Sequence, residues 1–187
     1  MSPILVRPVR EQLEHDRIIR QLQAKFRRKY EPAINPGSEQ NTPVGSGASA
    51  IYPDVVLLAP DRGHKVLGLI EVETGESVNH LEALAQWAHF AKARLPFYLY
   101  VPAGMVDVAR RLSEDNNIYV TEIWSYHAVG DQIRFTMVHR SKEAPLAPVK
   151  KAAPPKKPAA AARKAAPPKK KPRKPSSASK PAKKKKR

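Results

Sequence analysis

The sequence of 187 residues contains no cysteine, and only 6% of its side chains are aromatic. The absence of cysteine excludes disulfide bonds, thiolate metal sites and a cysteine nucleophile, and it is typical of a reducing cytoplasm. No apolar run approaches the ~20 residues that a membrane-spanning helix needs, and the N-terminal residues lack the apolar stretch of a secretory signal. We therefore expect a cytoplasmic protein without a membrane partner.

Positive charge is concentrated at the C-terminal end of the chain. Residues 1–141 carry 16 Lys and Arg against 16 Asp and Glu, whereas residues 142–187 carry 18 Lys and Arg and a single acid, Glu143. The whole net charge of +17 therefore comes from the last quarter. This segment is rich in proline and alanine and has almost no large apolar residues, so it cannot build a core. The composition predicts a folded domain over 1–141 and a disordered Lys/Pro/Ala-rich basic tail over 142–187.

The basic tail predicts a polyanionic partner. It resembles the Lys/Ala/Pro arms of linker histones and of some bacterial nucleoid proteins. Its cations can follow a phosphate backbone and release counterions, and without aromatics or a rigid element they do not read sequence. We expect nucleic acid, in the first place DNA, and in a bacterium a nucleoid-associated location; a solubilising or targeting tail is the other interpretation. The candidate contacts in the tail are Lys156, Lys157, Lys169, Lys170, Lys171, Arg173 and Lys174.

The first 141 residues alternate between helical and strand-like patterns. The spacing of apolar residues predicts helices over 8–30, 78–94 and 105–115, with Ser77 as the N-cap of the second. Apolar runs predict strands over 51–59, 66–74, 97–101, 118–126 and 132–139, and 31–50 is expected to be a loop or an irregular edge segment. This order predicts an α/β fold with a mixed central sheet flanked by helices.

Three acids interrupt the two central apolar strands. The turn near residue 62 places position 54 opposite position 70, so Asp54 is expected within about one residue of Glu71 across the hairpin. Side chains alternate along a strand, so Glu71 and Glu73 are expected on one face. Buried carboxylates repel one another and are costly without a partner. A hard divalent cation, Mg²⁺ or Mn²⁺, bound by Asp54, Glu71 and Glu73 would resolve the conflict.

These residues, followed by a helix bearing Gln86 and Trp87, resemble the PD-(D/E)xK nuclease superfamily, which includes restriction endonucleases and Holliday-junction resolvases. The resemblance covers residues 51–101. It implies a restriction-endonuclease-like core, Mg²⁺ held by Asp54 and Glu71, and metal-dependent hydrolysis of phosphodiester bonds. It also implies that two copies of the chain can form a homodimer.

Position 73 departs from the common pattern, because the motif lysine is replaced by Glu73. Some members of the superfamily carry glutamate here and cleave DNA, so Glu73 is a candidate third metal ligand or general base. The alternative is a catalytically inactive nuclease fold that binds DNA or belongs to the nucleoid. Lys92 on the following helix is a candidate for a displaced cation.

Several further residues are secondary candidates. Gln86 is expected either near the site or a phosphate of the nucleic acid, or in ordinary packing or at the surface. Trp87 is expected in the core. Glu11 and Glu14 are either metal-directed acids or part of a solvated helix face. A possible phosphate patch lies at the end of the first helix and consists of Lys25, Arg27, Arg28 and Lys29.

Overall fold

The described part of the chain, residues 8–61, 63–130 and 132–142 of a computed structural model, forms a six-stranded mixed sheet with helices. The strands are β1 (Glu31–Ile34), β2 (Val55–Leu58), β3 (Val66–Val72), β4 (Phe97–Pro102), β5 (Glu122–Val129) and β6 (Gln132–Arg140). The α-helices are α1 (Val9–Phe26), α2 (His80–Glu82), α3 (Ala88–Lys92) and α4 (Val106–Asp115). A π-helical turn, Ala83–Trp87, joins α2 to α3. The seven candidate residues of the tail lie outside the described residues.

The strands lie in the sheet in the same order as in the sequence. β1, β2 and β3 pair antiparallel, β3, β4 and β5 pair parallel, and β6 returns antiparallel to β5. A parallel pair needs a crossover connection. The helical segment from α2 to α3 makes the crossover between β3 and β4, and α4 makes the one between β4 and β5. The predicted α/β class with a mixed sheet is confirmed.

Apolar side chains on the two faces of the sheet form two separate clusters. One cluster packs Val56, Leu69 and Leu99 against Trp87 and Ala109 on the crossover helices. The other contains the next residues along the same strands and packs them against α1; its fully buried members include Ile18, Ile19, Leu22, Val55, Ile70, Val72 and Tyr100. Because neighbouring strand residues point to opposite faces, these clusters place the helices on both sides of the sheet.

The structure differs from the sequence-based expectations in several places. The strand expected over 118–126 lies at Glu122–Val129. Residues 31–50 were expected to form a loop or an irregular edge segment. Their first four residues form β1, an edge strand paired with β2. The prediction that Ser77 is the N-cap was wrong. The side chain of Asn79 accepts a hydrogen bond from the backbone N–H of Glu82, and the helix begins at His80. Three leucines of the helices predicted from apolar spacing are exposed: Leu13, Leu81 and Leu84.

In the described part of the chain, no helix combines the length and the apolar character that crossing a membrane would require.

Two leucines of α1 provide a matched test of this packing. Leu22 is fully buried against the sheet, whereas Leu13 is 67% exposed. Leu22→Ala is expected to lower the free energy of unfolding by about 2–5 kcal/mol because it leaves a cavity. Leu13→Ala is expected to change it by less than about 0.5 kcal/mol. Urea denaturation followed by circular dichroism measures both values, and equal losses would show that α1 packs through a different face.

Candidate active site

Asp54 and Glu71 meet where β2 begins and β3 approaches its end. Val55 pairs with Ile70, so the antiparallel register continues to Asp54 opposite Glu71, which confirms the predicted proximity of the two positions. Glu71 Oε2 accepts the backbone N–H of Asp54 at 3.2 Å, and Asp54 Oδ2 accepts that of Val72 at 2.8 Å. Each carboxylate thus accepts one hydrogen bond from the backbone on the other side of the β2–β3 hairpin. Both residues are buried, at 7% and 4% exposure.

The two carboxylates line a cleft of about 770 Å³. One wall is a single face of the segment from α2 to α3, because its lining residues Glu82, Ala85, Gln86, His89 and Phe90 recur at helical spacing. A second part of the lining comes from the connection between β1 and β2, and Gln12 and His15 of α1 complete the cleft. Among the described residues, the lining includes four acids and two histidines and neither lysine nor arginine. A cleft with this lining favours a cation over an anion.

The backbone at Asp54 is fixed by a buried asparagine that follows β1. The backbone N–H of Asn35 donates to Asp54 O at 3.0 Å, and its side-chain Nδ2 donates to Pro53 O at 2.7 Å. Asn35 Oδ1 accepts the N–H of Thr42 at 2.7 Å, which ties the cleft-wall segment to the same side chain. The edge strand β1 therefore holds the Pro53–Asp54 peptide in place.

Glu73 follows β3 and is directed into the core. It is fully buried, and its Oε1 accepts the indole N–H of Trp87 at 2.6 Å. Its backbone N–H donates to Tyr100 O at 2.8 Å, and its carbonyl accepts the hydroxyl of Tyr126 at 2.7 Å. Glu73 is not among the residues that line the cleft. The structure thus brings two of the three predicted acids together at the cleft and uses the third to link β3 to the π-helical turn.

The donor set in the cleft fits one class of metal ion. Within residues 8–61, 63–130 and 132–142, no three His, Cys, Asp or Glu side chains are grouped as a complete metal cage. Mg²⁺ and Mn²⁺ at phosphate-transfer sites need no such cage, because one or two carboxylates, waters and the phosphates of the substrate complete their coordination. The pair formed by Asp54 and Glu71 supplies the two carboxylates.

The remaining predicted residues occupy different surroundings. Gln86 lines the cleft, and Trp87 is fully buried in the core as predicted. Glu14 is exposed, whereas Glu11 contacts the hydroxyl of Thr74 and so belongs to the packing between α1 and the end of β3. Lys92 is exposed and is not a lining residue, so the structure does not place it as a displaced cation at the cleft.

The basic cluster at the end of α1 lies away from the cleft. Lys25 follows the cleft residue His15 by ten positions, which is roughly 15 Å along a helix axis. Its ammonium group lies 4.6 Å and 4.9 Å from the ring centres of Trp124 and Phe135, and partial burial lowers the pKa of Lys25. All four cations of the cluster are exposed, and the ammonium group of Lys25 also packs over these two rings.

Several cleft residues were not identified from the sequence, and His15 and Glu82 are two of them. His15 lies on the apolar stripe of α1, where a histidine is also expected as an ordinary core residue, and only its 3.1 Å contact with Asp54 Oδ2 distinguishes it. Glu82 was not singled out in the sequence; it is buried and lines the cleft. The spacing of four residues between Glu82 and Gln86 was the available signal that both lie on one helix face.

Comparison of the chain with family models, with curated proteins and with solved structures found no match. The functional interpretation therefore depends on the residues and their geometry.

The link between Glu73 and Trp87 generates a stability prediction. Trp87→Phe removes a buried indole donor from a carboxylate, so we expect a loss of about 1.5–3 kcal/mol in the free energy of unfolding. Trp124→Phe is the comparison, because Glu122 keeps its ion pair with Arg140 when the Trp124 indole donor is removed, so a smaller loss is expected. Denaturant titration of both variants measures the two free energies of unfolding. Equal losses would contradict a special role for the bond to Glu73.

Proposed function

We propose that the cleft is the active site of a metal-dependent phosphodiesterase that acts on nucleic acid, with DNA as its principal substrate. One observation carries the proposal: Asp54 and Glu71 are held together, almost fully buried, in a cleft whose described lining has no lysine or arginine. Two adjacent carboxylates in such surroundings repel each other, and a divalent cation removes that repulsion.

The arrangement also supports a relation to the PD-(D/E)xK superfamily and a restriction-endonuclease-like core. The strand-turn-strand-helix unit that the resemblance implies corresponds to β2, β3 and the segment from α2 to α3. Asp54 and Glu71 occupy the positions of the motif aspartate and first acid. The covered segment, residues 51–101, contributes one complete wall of the cleft and both carboxylates.

Each residue of the cleft has a definite task in this proposal. When bound, the divalent cation polarises the scissile phosphate and makes its water a better nucleophile. Asp54 and Glu71 hold the cation, and Asn35 fixes the backbone that presents Asp54. Gln12 and Gln86 supply neutral amide donors for phosphate oxygens. Glu73 maintains the contact between β3 and the π-helical turn, so it acts on the site through the backbone of β3.

The charge of the cleft determines the order of binding. Its four lining acids repel phosphate until the cation is present, so productive binding of nucleic acid requires metal. The basic tail supplies the affinity that the cleft lacks. It raises the local concentration of nucleic acid without adding sequence preference.

The first test is cleavage of plasmid, linear, branched and single-stranded DNA with Mg²⁺ or Mn²⁺. Asp54→Asn and Glu71→Gln preserve side-chain volume but remove the charge that binds the cation, so each is expected to lower the cleavage rate by about 100-fold or more. Asp107→Asn is the control, because Asp107 is an exposed acid that pairs with Arg110 on α4. Cleavage by Asp54→Asn at the rate of the control would reject the assignment.

The second test addresses the tail in the full chain. Replacing Lys156, Lys157, Lys169, Lys170, Lys171, Arg173 and Lys174 by glutamine removes seven cations. If all seven contact phosphates, the slope of log K against log salt for duplex DNA becomes less negative by about 6. Fluorescence anisotropy at several salt concentrations measures the slope. An unchanged slope would show that these residues do not contact the phosphates.

A non-enzymatic DNA-binding protein on the same fold is the second candidate function. It is favoured by one observation, that position 73 holds a buried glutamate bonded to Trp87 instead of the motif lysine at the site. The two candidates differ in their response to metal. A cation at about 100 times its dissociation constant adds roughly 2.7 kcal/mol to the free energy of unfolding. Stability that does not respond to millimolar Mg²⁺ or Mn²⁺ would favour the non-enzymatic function.

A further inference from the structure

His15 is a buried histidine held between two carboxylates. It lies on α1 and is 2% exposed. Its Nε2 lies 3.1 Å from Asp54 Oδ2, and its Nδ1 lies 3.4 Å from Asp16 Oδ1. The imidazole therefore connects the first helix to one of the two carboxylates of the cleft. None of the tasks assigned to the cleft residues above uses this connection.

The Asp16 end of the connection is fixed by the cleft wall. Asp16 Oδ1 accepts Gln12 Nε2 at 2.7 Å and the backbone N–H of Gly37 at 3.1 Å. Gly37 has a φ of +62°, a conformation that glycine adopts without strain, so its N–H can turn toward α1. Asp16 is thereby held by its own helix and by the segment that follows β1.

The Asp54 end is fixed by two donors on the same oxygen. Asp54 Oδ2 accepts a hydrogen bond from the backbone N–H of Val72 and another from His15 Nε2. The terminal torsion of an aspartate is soft, so one donor alone leaves the plane of the carboxylate free to rotate. Two donors from different directions set this plane, and with it the position of Oδ1.

We propose that His15 is a positioning residue that orients the Asp54 carboxylate for a divalent cation, with Asp16 holding the imidazole ring in place. This inference rests on the proposed function, because it takes Asp54 as a metal ligand. His15 acts through Asp54 and does not itself bind the cation, since both of its ring nitrogens face carboxylate oxygens. The partners that hold ligands in place typically account for 10- to 100-fold in metal affinity.

The test is the affinity of the full chain for Mn²⁺, measured by isothermal titration calorimetry without nucleic acid. His15→Met fills a similar volume without a donor, and we expect the dissociation constant for Mn²⁺ to rise about 10- to 100-fold. His15→Gln restores an amide N–H that can reach Asp54, so its dissociation constant is expected within about threefold of the unsubstituted chain. Glu14→Gln, an exposed position on the same helix, is the control and is expected to leave it unchanged.

A second variant keeps the proposal testable if His15→Met does not fold. Asp16→Asn keeps the oxygen that accepts from Gln12 and Gly37 but removes the charge that faces His15. We expect the dissociation constant for Mn²⁺ to rise about threefold or more. Circular dichroism establishes that each variant is folded. A folded His15→Met that binds Mn²⁺ as tightly as the control would overturn the proposal. Equal losses in His15→Met and His15→Gln would also overturn it, because the restored donor would then have no effect.

The proposed function can fail independently of this inference. If the unsubstituted chain binds Mn²⁺ with the expected dependence on His15 but cleaves no DNA, the positioning role stands and the hydrolytic function fails. If cleavage is observed, the saturating rate offers a further readout. Excess Mn²⁺ is expected to bring the saturating rate of His15→Met to within about fivefold of the control, because the main defect lies in metal affinity. A rate that stays 100-fold lower at saturating Mn²⁺ would overturn the positioning role.

Discussion

The antiparallel register between β2 and β3 is the constraint on which the site depends. It places Asp54 opposite Glu71, and one backbone hydrogen bond then holds each carboxylate against the neighbouring strand. Slippage by one residue would turn these side chains to opposite faces of the sheet. The register itself is maintained by apolar residues on both faces, because Val55 and Val56 pack into two different clusters. Core packing therefore determines where the charged groups meet.

The sequence predicted the sheet and the acidic pair better than the surroundings of that pair. Continuous apolar runs around Asp54 and Glu71 predicted central strands, and the turn near residue 62 predicted their register to within one residue. Alternation also predicted Glu71 and Glu73 on one face. Alternation could not predict that Glu73 is buried in the core. Its burial depends on the hydrogen bond that Trp87 donates to Glu73 at the end of β3. His15 was missed because its neighbours on the stripe are ordinary core residues, and the contact with Asp54 spans 39 positions of sequence.

The distribution of charge explains why the chain has two unlike parts. A cleft with buried acids is suited to a cation and unsuited to a polyanion, whereas the tail has the opposite character. In the proposed function, a site that concentrates negative charge needs a second source of affinity for phosphate, and the basic tail provides that affinity at a modest entropic cost. Arg27 follows the cleft residue His15 by twelve positions, roughly 18 Å along a helix axis. In the proposed function, the exposed cations after α1 contact a phosphate backbone beyond the scissile bond.

The most direct test is the anomalous scattering of Mn²⁺ in crystals of the full chain. The proposed site predicts one manganese peak in the cleft, close enough to a carboxylate oxygen of Asp54 and to one of Glu71 for both to bind the ion directly. The peak should be absent in Asp54→Asn crystals grown under the same conditions. A cleft without manganese in the unsubstituted chain at millimolar Mn²⁺, or manganese bound only elsewhere, would contradict the central claim that these two carboxylates together hold a divalent cation.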